Sequence, residues 1–296
     1  MTLAPFVQIL GRGIGRARGL TQAEAYDAMT LMLRGDQSPE AVGAILMLLR
    51  MKGETAEEIA GFSQAAQDAL PASPIADLDW PCYAAGRTRG APWFLHAARE
   101  VAASGNRVLL HGWNGQDLAI RQGAAALGIP VCATFDDADK ALRKGKIAYL
   151  PLETFHPQLF ALLKLRDVLG LRSCVNTVCR MLNPGRAPSS VQGVFHPSYR
   201  LLQADAASLL GWQNLTAIKG GGGEFERHPG KPTEAFGLRD GTQWQDTLPA
   251  IGAETTRLQD NTCHLLRPDG FANDIIAGTA TLARETLRSA PNAAAA

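Results

Sequence analysis

Ser38-Pro39-Glu40-Ala41-Val42-Gly43-Ala44-Ile45-Leu46-Met47-Leu48-Leu49-Arg50-Met51-Lys52-Gly53-Glu54-Thr55 opens on a serine and a proline and closes near a glycine. Proline suits the first helical position because its missing N–H has no partner there anyway, and glycine suits the end because it accepts left-handed backbone. Between them Val42, Ile45, Leu46 and Leu49 fall on one face at helical spacing, so a helix with one buried stripe is expected. Upstream, Thr21 and Glu24 make a capping box before a helix that ends at Gly35. Downstream, Thr55 and Glu58 make a second box before a helix that runs to Pro71. Residues 1–71 therefore read as a small helical domain whose apolar stripes form its core.

After Pro71-Ala72-Ser73-Pro74 the texture changes. Short β-like runs at Trp80 to Tyr83, Val108 to Leu110, Ile147 to Leu150, Val191 to Phe195 and Leu215 to Ile218 alternate with helical stretches such as Pro92 to Ala103 and Gln116 to Leu127. This alternation predicts an α/β fold with a mainly parallel sheet covered on both faces. The stretch Pro157 to Leu182 looks helical and interrupts the pattern, so it is expected to return to the first domain. The organisation read here is a helical domain at 1–71 plus about 155–186, an α/β domain at 76–154 plus 187–288, and a disordered tail at 289–296. Gly220 to Pro232, with four consecutive glycines, is expected to be a mobile loop or a binding turn.

The 296 residues are 46% hydrophobic, 6% aromatic and 19% charged, which describes an ordinary α/β protein. The longest apolar run, Ala41 to Leu49, ends at Arg50, well short of the roughly 20 residues a membrane span needs. Met1-Thr2-Leu3 is not a basic start followed by an apolar core, so no export signal and a cytoplasmic location are expected. The cysteines Cys82, Cys132, Cys174, Cys179 and Cys263 form no CxxC pair and read as reduced thiols. The net charge is +1, but it is unevenly spread: Arg12, Arg16 and Arg18 stand without an acid in the first 20 residues.

Ala84-Ala85-Gly86-Arg87-Thr88-Arg89-Gly90 lies between a strand and a helix start. Such a glycine-bearing turn is a ready anion site, because unpaired N–H groups and the helix dipole point at the ligand. The turn carries Arg87 and Arg89 and no acid, which suits gripping phosphates, although a solvated loop with paired arginines reads equally simply. Arg12, Arg16 and Arg18 extend the same positive surface or merely solubilise a loop. His111 and His156 are candidates for polar contacts, with structural roles at a strand end and a helix cap as the plainer readings. Trp93, Trp113 and Trp212 could stack on bases but suit core packing better.

Leu20 to Ala25 and Ser38 to Thr55, followed by His156-Pro157, Arg166-Asp167-Val168-Leu169-Gly170-Leu171-Arg172-Ser173, Asn176 and Asn183-Pro184, resemble the anthranilate phosphoribosyltransferases over nearly the whole chain. That resemblance implies a class IV phosphoribosyltransferase or nucleoside phosphorylase-like fold, with a small helical domain, a larger α/β domain, and a homodimer joined through the helical domains. It also implies a possible substrate pocket at His156, Arg166 and Asn176, with Arg166 matching the arginine that contacts the aromatic acid. The family's Gly-Thr-Gly-Gly-Asp turn falls on Cys82-Tyr83-Ala84-Ala85-Gly86, and its Asn-x-Ser-Thr on Pro92-Trp93-Phe94-Leu95. Its Lys-His-Gly-Asn-Arg survives only as Leu110-His111-Gly112-Trp113-Asn114, and its magnesium-holding Asp-Glu pair falls on Phe225-Glu226, with Glu224 adjacent. Proline has no N–H to donate, and Trp, Phe and Leu have no hydroxyl, so ordinary anthranilate transfer is not expected.

Leu10-Gly11-Arg12-Gly13, Tyr83 with Gly86-Arg87 and Arg89, Leu109-Leu110-His111-Gly112 and Gly220 to Glu226 resemble the YbiB branch of the same superfamily, regarded as nucleic-acid-binding proteins without the transferase activity. The expectation is then a protein that binds nucleic acid, single-stranded rather than double, or a phosphorylated small molecule. The binding residues would be Gly86, Arg87, Thr88, Arg89, Arg12, Arg16, Arg18, His111, Gly112, Asn114 and Lys219. No cofactor is expected on this reading. The alternative is a glycosyl or phosphoribosyl transferase or phosphorylase on an unidentified substrate, with Glu224 or Glu226 as base or magnesium ligand.

Overall fold

The computed structural model describes residues 1–13, 15–71, 73–84, 90–115, 118–195, 198–253 and 264–288. Gly86, Arg87, Thr88 and Arg89 of the arginine turn, Cys263 and the tail at 289–296 lie outside the described residues.

Local chemistry sets the first helices: α1 (Ala4–Gly11), α2 (Gln22–Arg34), α3 (Pro39–Lys52) and α4 (Ala56–Asp68). Thr21 and Thr55 each accept the N–H three residues on, while Glu24 and Glu58 reach back to the cap N–H. Glu58 does more, for its Oε1 also accepts the Leu20 N–H at 2.9 Å and its Oε2 accepts Lys52 Nζ at 2.9 Å. One fully buried carboxylate thus joins the starts of two helices and the end of a third. The fourth helix stops at Asp68, short of Pro71.

The α/β part runs β1 (Leu78–Cys82), α5 (Phe94–Ala103), β2 (Val108–Gly112), α6 (Ala119–Ala126), α7 (Phe135–Gly145), β3 (Ile147–Pro151), α8 (Leu152–Phe155), α9 (Pro157–Leu169) and α10 (Val175–Arg180). It continues through β4 (Ser189–Val194), α11 (Ser198–Leu209), β5 (Asn214–Lys219), a 3₁₀ turn at Gly221–Gly223, β6 (Thr233–Arg239), β7 (Thr242–Leu248) and α12 (Gly270–Arg288). The sheet order is β3-β2-β1-β4-β5-β6-β7. The first five strands are parallel, as the alternation predicted, and β6 and β7 add an antiparallel hairpin. A small N-terminal helical domain and a larger α/β sheet domain result, the fold class expected.

Each parallel strand is buried on both faces, and the pleat deals its residues alternately to two cores. Leu109 joins the core shared with the helical bundle, while Val108 and Leu110 pack beneath α5 and α12. The stretch expected to be helical from Pro157 to Leu182 breaks at Gly170, whose φ of 68° ends α9 in the left-handed region. Both pieces pack on the bundle, α9 on α2 and α10 on α4. Gln67 ties the bundle down further by donating to the carbonyls of Leu182 and Asn183.

From β1 the chain proceeds to β2 and β3 on one side, then returns to β4 and β5 on the other. The point of reversal lies between β1 and β4. Strand order diverges there, leaving a crevice at the carboxyl ends, where open α/β sheets hold their ligands.

Candidate ligand cleft and anion site

A cavity of about 660 Å³ opens at that crevice, between the carboxyl ends of β1 and β4 and the loop joining α9 to α10. Tyr83, Val194 and Phe195 line the sheet side, and Arg166, Arg172, Asn176 and Arg180 the helical side, with Arg50 and Tyr199 closing it. Arg166 projects from the last turn of α9 and Arg180 from the end of α10. Among the described residues the only acid lining it, Asp167, is ion-paired with Lys164. Desolvation, then the positive charges of Arg166 and Arg180, hold the Arg172 guanidinium below its ordinary pKa. Three lining atoms are buried without a hydrogen-bond partner among the described residues: Arg166 Nη1, Asn176 Oδ1 and Gln203 Oε1. A buried donor and two buried acceptors left open are costly unless something enters to meet them.

Below the cleft floor runs a buried polar chain. Tyr83 Oη lies 2.9 Å from His111 Nδ1, His111 Nε2 lies 3.1 Å from Asp79 Oδ1, and Ser190 Oγ donates to Asp79 Oδ2 at 2.7 Å. Sheet register explains the last contact, since Asp79 of β1 stands opposite Ser190 of β4. Burial pushes the Tyr83 phenol well above its ordinary pKa. His111 is fully buried, so its role is inside this chain of contacts and not on an open binding surface. Gly112 owes its identity to packing: a Cβ there would stand 2.0 Å from the Cys82 carbonyl oxygen.

Gly220 to Glu226, expected as a loop or binding turn, is a turn held at many points. Arg180 Nη1 donates to the carbonyls of Gly193 at 2.9 Å and Gly223 at 3.1 Å. The fully buried Phe225 ring meets Trp80 edge-on at 5.5 Å. A Cβ on Gly193 would lie 2.1 Å from the Glu224 carbonyl carbon, and one on Gly220 would lie 1.5 Å from its oxygen. So positioned, Glu224 Oε1 accepts the Ala84 N–H at 2.9 Å and Asn114 Nδ2 at 3.4 Å, and Glu226 Oε1 accepts the Phe94 N–H at 3.0 Å. Both carboxylates are buried. Ala84 follows β1 and Phe94 is the first residue of α5, so the chain's own anions sit on the amides and helix terminus that ordinarily draw phosphate.

Residues 5–70 match the helical bundle domain of the glycosyl transferase family. Anthranilate phosphoribosyltransferase from Geobacillus stearothermophilus is 28% identical over 75% of this chain and 67% of its own length. The enzyme of that name from Polynucleobacter necessarius is 30% identical over 73% of this chain and 66% of its own. The fold agrees with the crystal structure of anthranilate phosphoribosyltransferase from Thermus thermophilus, with a TM-score of 0.78 at 20% identity, covering 99% of this chain and 91% of that one. Over the helical bundle in sequence, and over nearly its whole length in fold, the chain is similar to the anthranilate phosphoribosyltransferases. The fold also agrees with that of anthranilate phosphoribosyltransferase from Saccharomyces cerevisiae in complex with PRPP and Mg, with a TM-score of 0.72 at 16% identity, covering 98% of this chain and 90% of that one.

Within this scaffold the residues expected at a site separate. Arg166 and Asn176 line the cleft, whereas His156 lies apart in a smaller cavity of about 290 Å³ beside Tyr26 and Arg34. His156 caps α9, accepting the Leu159 N–H and contacting the Ala66 carbonyl at 3.0 Å. Arg18 is committed to Glu24 through two contacts of 2.6 and 2.7 Å and holds that carboxyl down to about 2. Arg12, Arg16 and Lys219 are exposed. Trp93 is buried, and Trp113 and Trp212 pack against the core. Arg50, Arg172, Arg180 and Gln203 were not singled out from sequence as ligand residues; Arg172 and Arg180 lay within or beside the motif around Arg166. Glu224 and Glu226 are the residues that would hold magnesium on the transferase reading. Each turns an oxygen onto a backbone N–H, and among the described residues no three His, Cys, Asp or Glu gather to hold a metal.

Proposed function

We propose that the protein binds a phosphate-bearing ligand with N–H donors, single-stranded nucleic acid in the first place, in the arginine cleft, and does not perform ordinary anthranilate phosphoribosyl transfer. The observation that carries this reading is the set Arg166 Nη1, Asn176 Oδ1 and Gln203 Oε1, buried beside Arg172 and Arg180 with no hydrogen-bond partner among the described residues. Phosphate oxygens suit the guanidinium groups, base N–H edges suit the two amide oxygens, and Phe195, half exposed at the rim, offers a face for stacking. In this reading the protein acts in the cytoplasm as a homodimer joined through its helical part, 1–71 with about 155–186.

The comparisons weigh on the side of a second reading: glycosyl or phosphoribosyl transfer, or phosphorolysis, on an unidentified substrate. The named relatives carry that activity, and the same open atoms suit an amino-substituted aromatic acid with its carboxylate on Arg166. Against it stand the inward-turned Glu224 and Glu226.

Two measurements separate the readings. Filter binding of a single-stranded oligonucleotide should weaken with salt on a log–log slope of about −3, from about 0.7 per phosphate over the cleft's four arginines, and should be lost in Arg166→Ala. Melting with PRPP and magnesium should leave the midpoint unmoved. A midpoint raised by PRPP and magnesium, with no oligonucleotide bound, establishes the transferase reading instead.

A further inference from the structure

Two amides on separate elements, Ala84 after β1 and Phe94 at the start of α5, each receive a carboxylate from the same short segment. We propose that they form a phosphate-class anion site whose resident occupants are Glu224 and Glu226, and that these residents bar external phosphate and diphosphate groups from it. The inference is independent of what the arginine cleft binds.

The donors are those of an anion site: the first N–H of a ten-residue helix with its positive dipole end, a loop amide, and the Asn114 side-chain amide. The acceptors are buried carboxylates, at 0% and 1% exposure. They are delivered by backbone that cannot easily withdraw. Gly193 and Gly220 let it approach closely, Arg180 fastens Gly223, and Phe225 anchors it against Trp80. An incoming phosphate would have to displace this segment and approach two negative charges at short range, both unfavourable where water is excluded. The oxygens turned to the amides are also withdrawn from any divalent cation that would bring a diphosphate with it. Selectivity here is therefore against compact phosphate groups at the sheet-to-helix junction.

The test uses the full chain and inorganic pyrophosphate without metal, read at the Phe94 amide by two-dimensional NMR. Tyr199, on the far wall of the cleft, reports binding there separately. In the wild type the Phe94 resonance should stay still across a millimolar titration, whatever Tyr199 does. In Glu226→Ala it should move saturably, with affinity raised about tenfold or more, the factor one hydrogen bond to a charged group commonly supplies. Glu226→Gln keeps the shape but removes the charge, and should move it too, which guards against an alanine variant that does not fold. A wild-type Phe94 amide that shifts, or a folded variant in which it does not, overturns the proposal.

Discussion

Adding one methyl group at Gly193 should cost this protein about 3–5 kcal/mol. An ideal Cβ at that position lies 2.1 Å from the Glu224 carbonyl carbon, 2.3 Å from its oxygen and 2.4 Å from the Phe225 nitrogen. Ordinary carbon contacts begin near 3.5 Å, so the segment must retreat by about 1 Å or more. Such a retreat stretches the 2.9 Å bond from the Ala84 N–H to Glu224 past hydrogen-bond range, a loss of about 1.5–3 kcal/mol. It also draws Phe225 off Trp80, and overpacking of this kind adds about 1–3 kcal/mol. The assay is urea and thermal unfolding of Gly193→Ala beside wild type; a domain of this size should melt about 5–8 °C lower. Gly43→Ala is the matched control. It sits in α3 with nothing within 4 Å of its would-be Cβ, and should stabilise by up to about 1 kcal/mol. If Gly193→Ala unfolds within about 0.5 kcal/mol of wild type, the close contact between β4 and the glycine turn is not there.

Arg172→Gln removes one of the cleft's guanidinium groups, so oligonucleotide binding should weaken in the filter assay. Glu58→Ala strips the acceptor from the Leu20 and Thr55 amides and from Lys52, and should cost about 3–5 kcal/mol by denaturant titration; Glu58→Gln, which keeps an acceptor oxygen, should cost less. Burial lowers the pKa of His156 below its ordinary 6.5, so folding holds it neutral while the unfolded chain takes up its proton. Its contribution is present above pH 6.5 and lost as pH falls from there through the folded value. Stability measured from pH 8 to 5 should decline less steeply in His156→Gln, by at most about 1.36 kcal/mol per pH unit.

Much of the scaffold was legible because its signals are local. Capping pairs three residues apart marked two helices, and apolar runs with their alternation marked five strands. The hairpin of β6 and β7 escaped because β7 is an edge strand whose residues are all exposed or half-buried. Its one clear signal, Asp240-Gly241 with φ of 49° and 74°, is the two-residue turn that matches strand twist. The site was harder. Glu224 and Glu226 were visible as candidates, but the backbone amides that meet them, of Ala84 and Phe94, stand 140 and 132 positions away. Backbone amides leave no mark in a sequence. Tyr83 and His111 likewise meet only because β1 and β2 pair in register.

Arg180 reaches both the open cavity and the carbonyls of Gly193 and Gly223. One guanidinium therefore serves as host to a guest and as fastener of the wall behind it. A guest that captures this side chain slackens the clasp, and a substitution that alters the welcome also unpins the wall. Changes of ligand preference in this lineage should accordingly spare Arg180 and arise at other residues of the cleft wall, such as Gln203.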